Sequence, residues 1–436
     1  MRRIRQLFHT TEGLLFTVTA WEALIVAFMG TFSATGPLAW LNLPARLGIA
    51  LDEAGKIGRV IMLYHALALP FVAALVYFML DALPFEEKYP RLVRPAITAG
   101  YMLTSVGGLS FAYFGGSWIA HGLFVVGLSL AFYAGVVLCI GLWPWRRETG
   151  GFSMERLAFW LMALYTLISA AIGGAAGAYF GNGFTAFLAE DALGMEHNLG
   201  QRAIIAHLHI MLTLIDVALL LIVARRFELR GRAYRAAMPL IIIGTTITSF
   251  ATWSVMPFEE IAHKIINVGA AFLLPGAIIV ALYGLARLAR ERALLKDPVR
   301  LGIFFELIFV NLVVTAPGVY VAFNLESYRQ PAFQEVERTI AVGHWHVLAT
   351  LSAVIALLLV MDRLGARGLL RQLVGWGVLI GSTLAFVFVQ FYMFHRPGGD
   401  AAWTVPFLDV GIGVFLIALF VFLLQTGRSN IHRRAR

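Results

Sequence analysis

The stretch Gly343-His344-Trp345-His346 lies near one end of an apolar run from about Ile340 to Met361. Such a run is long enough to cross a lipid bilayer. A histidine inside a membrane-spanning helix is energetically costly and therefore points to a functional site. Two histidines at positions i and i+2 of a helix point roughly 200° apart, so this one helix can serve two neighbouring sites.

The same pattern occurs earlier in the chain, as His207-Leu208-His209. The segment 205–226 (IAHLHIMLTLIDVALLLIVARR) aligns with 342–363 (VGHWHVLATLSAVIALLLVMDR). The alignment pairs His207 with His344 and His209 with His346. It indicates an internal repeat centred on histidines.

Composition indicates a membrane protein. The 436 residues are 60% hydrophobic and 14% charged, and their mean hydropathy is +0.80, whereas soluble domains are about 25% charged. The single cysteine, Cys139, excludes an internal disulfide. We predict an all-α polytopic fold with about twelve spans, at roughly 13–35, 58–80, 95–114, 117–142, 157–180, 203–224, 237–256, 262–286, 302–323, 340–361, 372–394 and 405–425.

The net charge of +9 has a topological explanation. An even number of spans places both termini on one side of the membrane. The segments on that side carry 26 of the 34 Lys and Arg residues, and positive charge marks the cytoplasmic side. We expect a multi-pass protein of the cytoplasmic (inner) membrane with both termini in the cytoplasm and no nucleic-acid partner.

The repeat extends beyond one helix. His65 and His209 are 144 residues apart, His209 and His346 are 137 apart, and His121 and His263 are 142 apart. Long-period self-similarity indicates a repeat architecture. The sequence predicts a single transmembrane domain, 1–436, of three pseudo-repeated four-helix units at roughly 1–145, 146–290 and 291–436.

The histidines of the predicted spans cluster at one depth, in the outer third. Imidazole is an axial ligand of haem iron and a general metal ligand, so we expect haem b or a histidine-bound metal. His121 and His263 sit at helix starts near water; they are candidates for extra haem ligands, with a surface role as the alternative. Asp216 is the exception in a nearly uncharged midplane and could serve a proton path or contact Thr213.

In span number and pseudo-threefold order, the chain resembles the catalytic subunit of haem–copper oxidases, a superfamily that includes nitric oxide reductases. The resemblance implies that His65 and His346 ligate a low-spin haem and that His344 binds a second haem. It also implies that Arg396, in the segment between spans 11 and 12, pairs with a haem propionate, since a guanidinium suits a carboxylate.

The chain departs from this family at the second metal. Span 6 supplies His207 or His209, but span 7 has no histidine where the family has two adjacent ones. Copper or non-haem iron is therefore doubtful, and a second b haem held by His344 and a span 6 histidine is the favoured arrangement. The alternative is a non-haem metal bound by His207 or His209 with the carboxylates of Glu259 and Glu260.

Two functions follow from these expectations. The first is a membrane-embedded b-type cytochrome of respiratory electron transfer, with two or more haems near the outer face. Its partners would be the lipid bilayer, a quinol or c-type cytochrome, and other respiratory subunits. The second is a divergent terminal oxidase or nitric oxide reductase subunit with an open high-spin haem. An open coordination position distinguishes the two, and whether the chain is an enzyme depends on it.

Overall fold

The described part of the chain folds into twelve long helices. The computed structural model describes residues 7–8, 10–31, 39–46, 57–114, 117–145, 151–180, 199–324, 327, 330, 334–365, 368–396, 399 and 401–432, and it has no strand among them. The helices are α1 Thr11–Thr31, α2 Ile57–Ala82, α3 Lys88–Phe114, α4 Trp118–Gly141, α5 Met154–Phe180, α6 Leu199–Arg226, α7 Gly231–Trp253, α8 Val255–Arg290, α9 Pro298–Phe323, α10 Gln334–Leu364, α11 Gly368–His395 and α12 Val405–His432.

Each helix coincides with one of the predicted apolar stretches. Ten of the twelve are long and apolar enough to cross a membrane; α1 and α3 are the two outside that set within the described residues. The α3 helix starts with charged residues and is rich in Gly, Ser and Thr, which lowers its hydropathy. Many of these small residues are buried against neighbouring helices. An all-α polytopic membrane protein is thus confirmed.

The connection between α7 and α8 includes a short helical turn, which a kink at Phe258 separates from the rest of α8. The predicted spans end at 256 and resume at 262, whereas α8 already begins at Val255. Its backbone is non-helical at Phe258 (φ −138°, ψ 57°), directly after Pro257. Proline is tolerated in the first turn of a helix, because the backbone N–H it removes has no intrahelical partner there.

The chain divides into two compact units. The first comprises Met1–Leu214 with Thr252–Glu259, and the second comprises Ile215–Ala251 with Glu260–Arg436. In the first unit, α3 packs tightly on α2 beside His65: Ser105 Oγ donates to the carbonyl of Ala66 at 2.7 Å. A Cβ added at Gly108 would lie 2.8 Å from the carbonyl oxygen of Met62, so α3 could not approach this closely with a larger residue there.

Three helix pairs make the same close contact through glycine. In each pair, a Cβ added to a glycine of the second helix would come too close to a backbone nitrogen of the first helix. The distances are 2.5 Å for Gly127 to Thr104, 2.8 Å for Gly269 to Thr248 and 2.5 Å for Gly411 to Ala385. A Cβ added to a glycine of the first helix would likewise lie close to a carbonyl oxygen of the second helix. The distances are 3.1 Å for Gly100 to Gly127, 2.9 Å for Gly244 to Gly269 and 2.8 Å for Gly381 to Gly411. Small residues let membrane helices approach this closely.

Four described helices begin with the same side-chain cap. One is α4, capped by Ser117, and the other three caps are evenly spaced along the chain. The backbone N–H three residues on donates to Thr10 before α1 (3.0 Å), to Ser153 before α5 (3.3 Å) and to Asp297 before α9 (3.3 Å). Such a cap satisfies one of the N–H groups that a helix start leaves unpaired. The three capping residues are 143 and 144 positions apart.

A buried ion-pair network joins helix ends in the second unit. The carboxylate of Asp362, 5% exposed, accepts from Arg226 at 2.6 Å, Arg371 at 2.9 Å and Arg300 at 3.2 Å. Arg371 also bonds Asp297 at 2.9 Å. These residues belong to the ends of α6, α9, α10 and α11, so the network fixes four helices at one level.

The glycine contacts make a stability prediction. Replacing Gly127 by Ala forces α3 and α4 apart, and overpacking of this kind costs about 1–3 kcal/mol. We expect a lower midpoint of thermal unfolding in detergent. Gly122→Ala, on the same helix with no atom within 4 Å of the new Cβ, is the matched control and should leave the midpoint unchanged or slightly raised. Equal midpoints for the two variants would contradict the close contact.

Candidate functional site

The candidate site in the first unit is built around His65 and His207. His65 lies on α2, eight residues after its first residue, and its Nδ1 donates to the carbonyl of Ile61, one turn earlier, at 2.8 Å. A carbonyl oxygen can only accept, so Nδ1 carries the hydrogen. In the neutral ring, the lone pair is therefore on Nε2. The ring also meets Phe124 edge-on, with centroids 5.7 Å apart.

His207 is oriented in the same way by a neighbouring helix. Its Nδ1 donates to the carbonyl of Ser169 on α5 at 2.9 Å, which again leaves the lone pair on Nε2. Ser169 is itself held in place: its hydroxyl donates to the carbonyl of Tyr165 at 2.7 Å and accepts from Trp253 Nε1 at 3.0 Å. A Cβ added at Gly173 would lie 2.5 Å from His207 Cε1, so the ring occupies space that only glycine leaves open.

The two imidazoles are close and nearly parallel. Their centroids are 6.0 Å apart and their planes differ by 16°. An ion bound by two imidazole nitrogens, each at about 2.0–2.1 Å and each about 1.1 Å from its ring centre, separates the centroids by roughly 6 Å. Histidine ligands of metals usually donate their other N–H to a carbonyl or carboxylate, as both rings do here. The ring separation and the two Nδ1–carbonyl bonds therefore make His65 and His207 a candidate ligand pair.

His209, on the same helix as His207, is half-buried, and its carbonyl accepts from the Thr213 hydroxyl at 2.9 Å. The two residues are about 200° apart around the helix, so their side chains leave it in different directions. The structure thus distinguishes the two span 6 histidines, which the sequence left as alternatives: His207 is the one beside His65.

The histidine pair of α10 lies in the second unit. His344 is buried (8% exposed), and a Cβ added at Gly318 of α9 would lie 3.0 Å from its Cε1. His346 is exposed. Both remain predicted haem ligands. The pairing of His65 with His346 also stays a prediction, because it joins residues of separate units.

The remaining predicted ligands lie on or near helix ends. His121, half-buried in the first turn of α4, contacts the rings of Phe111 and Trp118 at 6.2 and 6.4 Å. His263 is half-buried on α8. Arg396 is exposed beyond α11, with its guanidinium 5.6 Å from the Tyr392 ring centre. Their proposed roles as extra haem ligands and propionate partner stay predictions.

The two candidate carboxylate ligands form ion pairs. Glu259, 6% exposed, pairs with Arg202 at 2.9 Å, while the exposed Glu260 pairs with Lys264 one turn later at 2.6 Å. Among the described residues, no three His, Cys, Asp or Glu side chains are grouped to hold a metal ion. A non-haem metal bound by His207, His209, Glu259 and Glu260 stays a hypothesis that no such group in the described part of the chain supports.

The sequence analysis identifies Asp216 as a carboxylate within a span, but not two further carboxylates that lie inside helices. Glu306 on α9 is fully buried, and one of its oxygens accepts from the Ser382 hydroxyl at 2.6 Å. Glu22 lies in the middle of α1. All three carboxyl groups have a buried oxygen without a hydrogen-bond partner among the described residues. A lone acid in an apolar run was the available signal, and such residues are functional candidates by default.

No protein-family model matches the chain, and no curated protein matches its sequence. The functional conclusion therefore depends on the geometry of the chain itself.

The position of His207 can be tested through Gly173. Gly173→Ala places a methyl group in the space of the imidazole, so the ring must turn and its bond to Ser169 weakens. We expect reduced haem content and an altered Soret band in the purified protein. Gly174→Ala adds a Cβ with no atom within 4 Å and should behave as wild type. Identical spectra for the two variants would show that His207 does not bind the chromophore.

Proposed function

We propose that this chain is a membrane-embedded b-type cytochrome of respiratory electron transfer, and that His65 and His207 are the two axial ligands of one haem. The observation that carries this proposal is the imidazole pair, with centroids 6.0 Å apart and each Nδ1 bonded to a backbone carbonyl. The resemblance had assigned His65 to His346 instead. His207 is preferred because it is the described neighbour of His65.

The protein's contribution is to orient the two rings before a ligand binds. The carbonyls of Ile61 and Ser169 fix the tautomer, and a hydrogen bond at Nδ1 makes Nε2 a better donor to iron. Trp253 holds Ser169 in place through its hydrogen bond to the hydroxyl. Gly173 leaves the space that the His207 ring occupies between α5 and α6. Preformed geometry of this kind reduces the loss of side-chain conformational entropy on binding.

Haem b, when bound, supplies a one-electron iron couple whose potential depends on its axial ligands and surroundings. A haem held by both histidines would have no position open to oxygen or nitric oxide, so the pair would favour electron transfer over gas reduction at this site. The neighbouring Phe124 side chain is 8% exposed, and an apolar wall beside the rings limits access of water.

We further propose that the fold consists of three repeated four-helix units. Two sets of equivalent features support this. The glycine contacts recur at α3–α4, α7–α8 and α11–α12. The glycines of the first helix of each pair are 144 and 137 residues apart, and those of the second helix are 142 residues apart in both cases. The caps recur before α1, α5 and α9. Both sets match the histidine spacing of the sequence.

The second histidine pair extends the proposal to a second haem. His344 is the candidate ligand on α10, since it is buried and packs against Gly318 as His207 packs against Gly173. An electron-carrying subunit with two haems needs a donor and an acceptor, for which we propose a quinol or c-type cytochrome and other respiratory subunits.

Replacement of either histidine tests the first haem. We expect His65→Ala and His207→Ala each to lose one haem b per chain by pyridine haemochrome and to lose the bis-histidine low-spin signal in paramagnetic resonance. Added imidazole should restore the signal, because it can enter the space left by the side chain. His432→Ala, at the far end of α12, is the control. Full haem content and an unchanged signal in both variants would reject the pair.

The orientation of the chain is a separate proposal. The excess of Lys and Arg on one set of connections supports an orientation with both termini in the cytoplasm. We expect a phosphatase reporter fused after Arg436 to be inactive and a cytoplasmic fluorescent reporter at the same point to be active. The opposite pattern would reverse the topology and move the histidines to the cytoplasmic side.

A further inference from the structure

A group of aromatic rings surrounds His395 where α11 ends and α12 begins, in the second unit. We call it the His395 cluster: Phe388, Phe391, His395, Trp403 and Phe407. The imidazole meets Trp403 edge-on at 5.9 Å and Phe391 at 6.3 Å, and Phe388 stacks on Phe407 at 4.3 Å. Trp403 also contacts Phe388 at 5.9 Å and Phe391 at 6.0 Å. The rings thus form one continuous group.

The two helices of the cluster are in close contact, whereas its surface is open. The α11 and α12 helices are in close contact through Gly381 and Gly411. Even so, Phe391, Trp403 and Phe407 remain 43%, 43% and 46% exposed. Aromatic rings are common where a helix leaves the bilayer. This cluster differs from a simple anchor because it also holds a polar acceptor.

That acceptor is Nε2 of His395. The ring's Nδ1 donates to the carbonyl of Phe391 at 2.8 Å, so in the neutral ring the lone pair is on Nε2, and the side chain is exposed. His395 is the last residue of α11, about 36 Å along the helix from Arg371 in the ion-pair network. The acceptor therefore lies at the opposite membrane boundary from that network.

We propose that the His395 cluster binds the ring of a membrane hydroquinone, with one hydroxyl donating to His395 Nε2 and the ring resting on the exposed faces of Trp403 and Phe391. A hydroquinone is planar and aromatic, carries hydroxyl donors, and has an apolar tail that stays in the bilayer. A soluble cytochrome would instead be expected to dock through complementary charge. An anionic lipid headgroup would call for several cations.

The cluster is connected to the predicted second haem ligand. Met393, two residues before His395, packs its sulfur against Gly343 of α10, directly before His344. A hydroquinone bound at the cluster would therefore lie one helix away from His344. Its role as electron donor rests on the function proposed above, whereas the binding site itself does not.

Ligand chemistry gives the sharpest test. Wild-type protein in phosphatidylcholine nanodiscs is titrated anaerobically with a short-tailed hydroquinone and with its dimethyl ether, which has no hydroxyl donor. We expect the hydroquinone to bind about tenfold more tightly, the ratio that one hydrogen bond supplies. His395→Ala should abolish this preference, and Trp403→Ala should lower the affinity for both ligands.

Two variants outside the His395 cluster serve as controls. Trp143→Ala removes an exposed ring from another aromatic group, where Trp143 contacts Trp145 and Trp160 at 5.2 and 5.3 Å, and it should change neither affinity. His432→Ala should also be silent. Equal binding of the two ligands by the wild type, an unchanged preference in His395→Ala, or displacement of the hydroquinone by phosphatidylglycerol would overturn the proposal. Binding that follows His395 in a protein without haem would reject the cytochrome proposal and leave this one standing.

Discussion

Two backbone carbonyls determine the candidate site, because they decide which nitrogen of each imidazole carries the lone pair. Ile61 accepts from His65 within one helix, whereas Ser169 accepts from His207 across two helices. The first bond follows from helix geometry alone. The second exists only if α5 and α6 meet in the correct register, so helix packing sets the chemistry of the ring pair.

That register depends on small residues. Helices in a bilayer gain little from hiding apolar surface and associate through close packing instead. Gly173 leaves space for the His207 ring, and Gly318 does the same for His344. The glycine contacts between α3 and α4, α7 and α8, and α11 and α12 obey the same rule. Glycine positions therefore decide where the histidines can be.

The helices were predictable from sequence, whereas their contacts were not. Runs of about twenty apolar residues predicted every long helix in the described part of the chain. The α3 helix begins at Lys88 rather than at 95, because charged residues at a boundary can still be helical. Nothing in the sequence sets the register between spans 2 and 6, so the neighbour of His65 could not be predicted. Glu306 was visible as a lone acid in span 9, but its burial and its Ser382 partner depend on packing.

The most direct measurement of the central claim is a cryo-electron microscopy structure of the purified, haem-loaded protein. We expect density for one b haem that is held by His65 Nε2 and His207 Nε2. Density that joins His65 to His346 through one iron, or an absence of haem between the two rings in a protein that binds haem elsewhere, would contradict it.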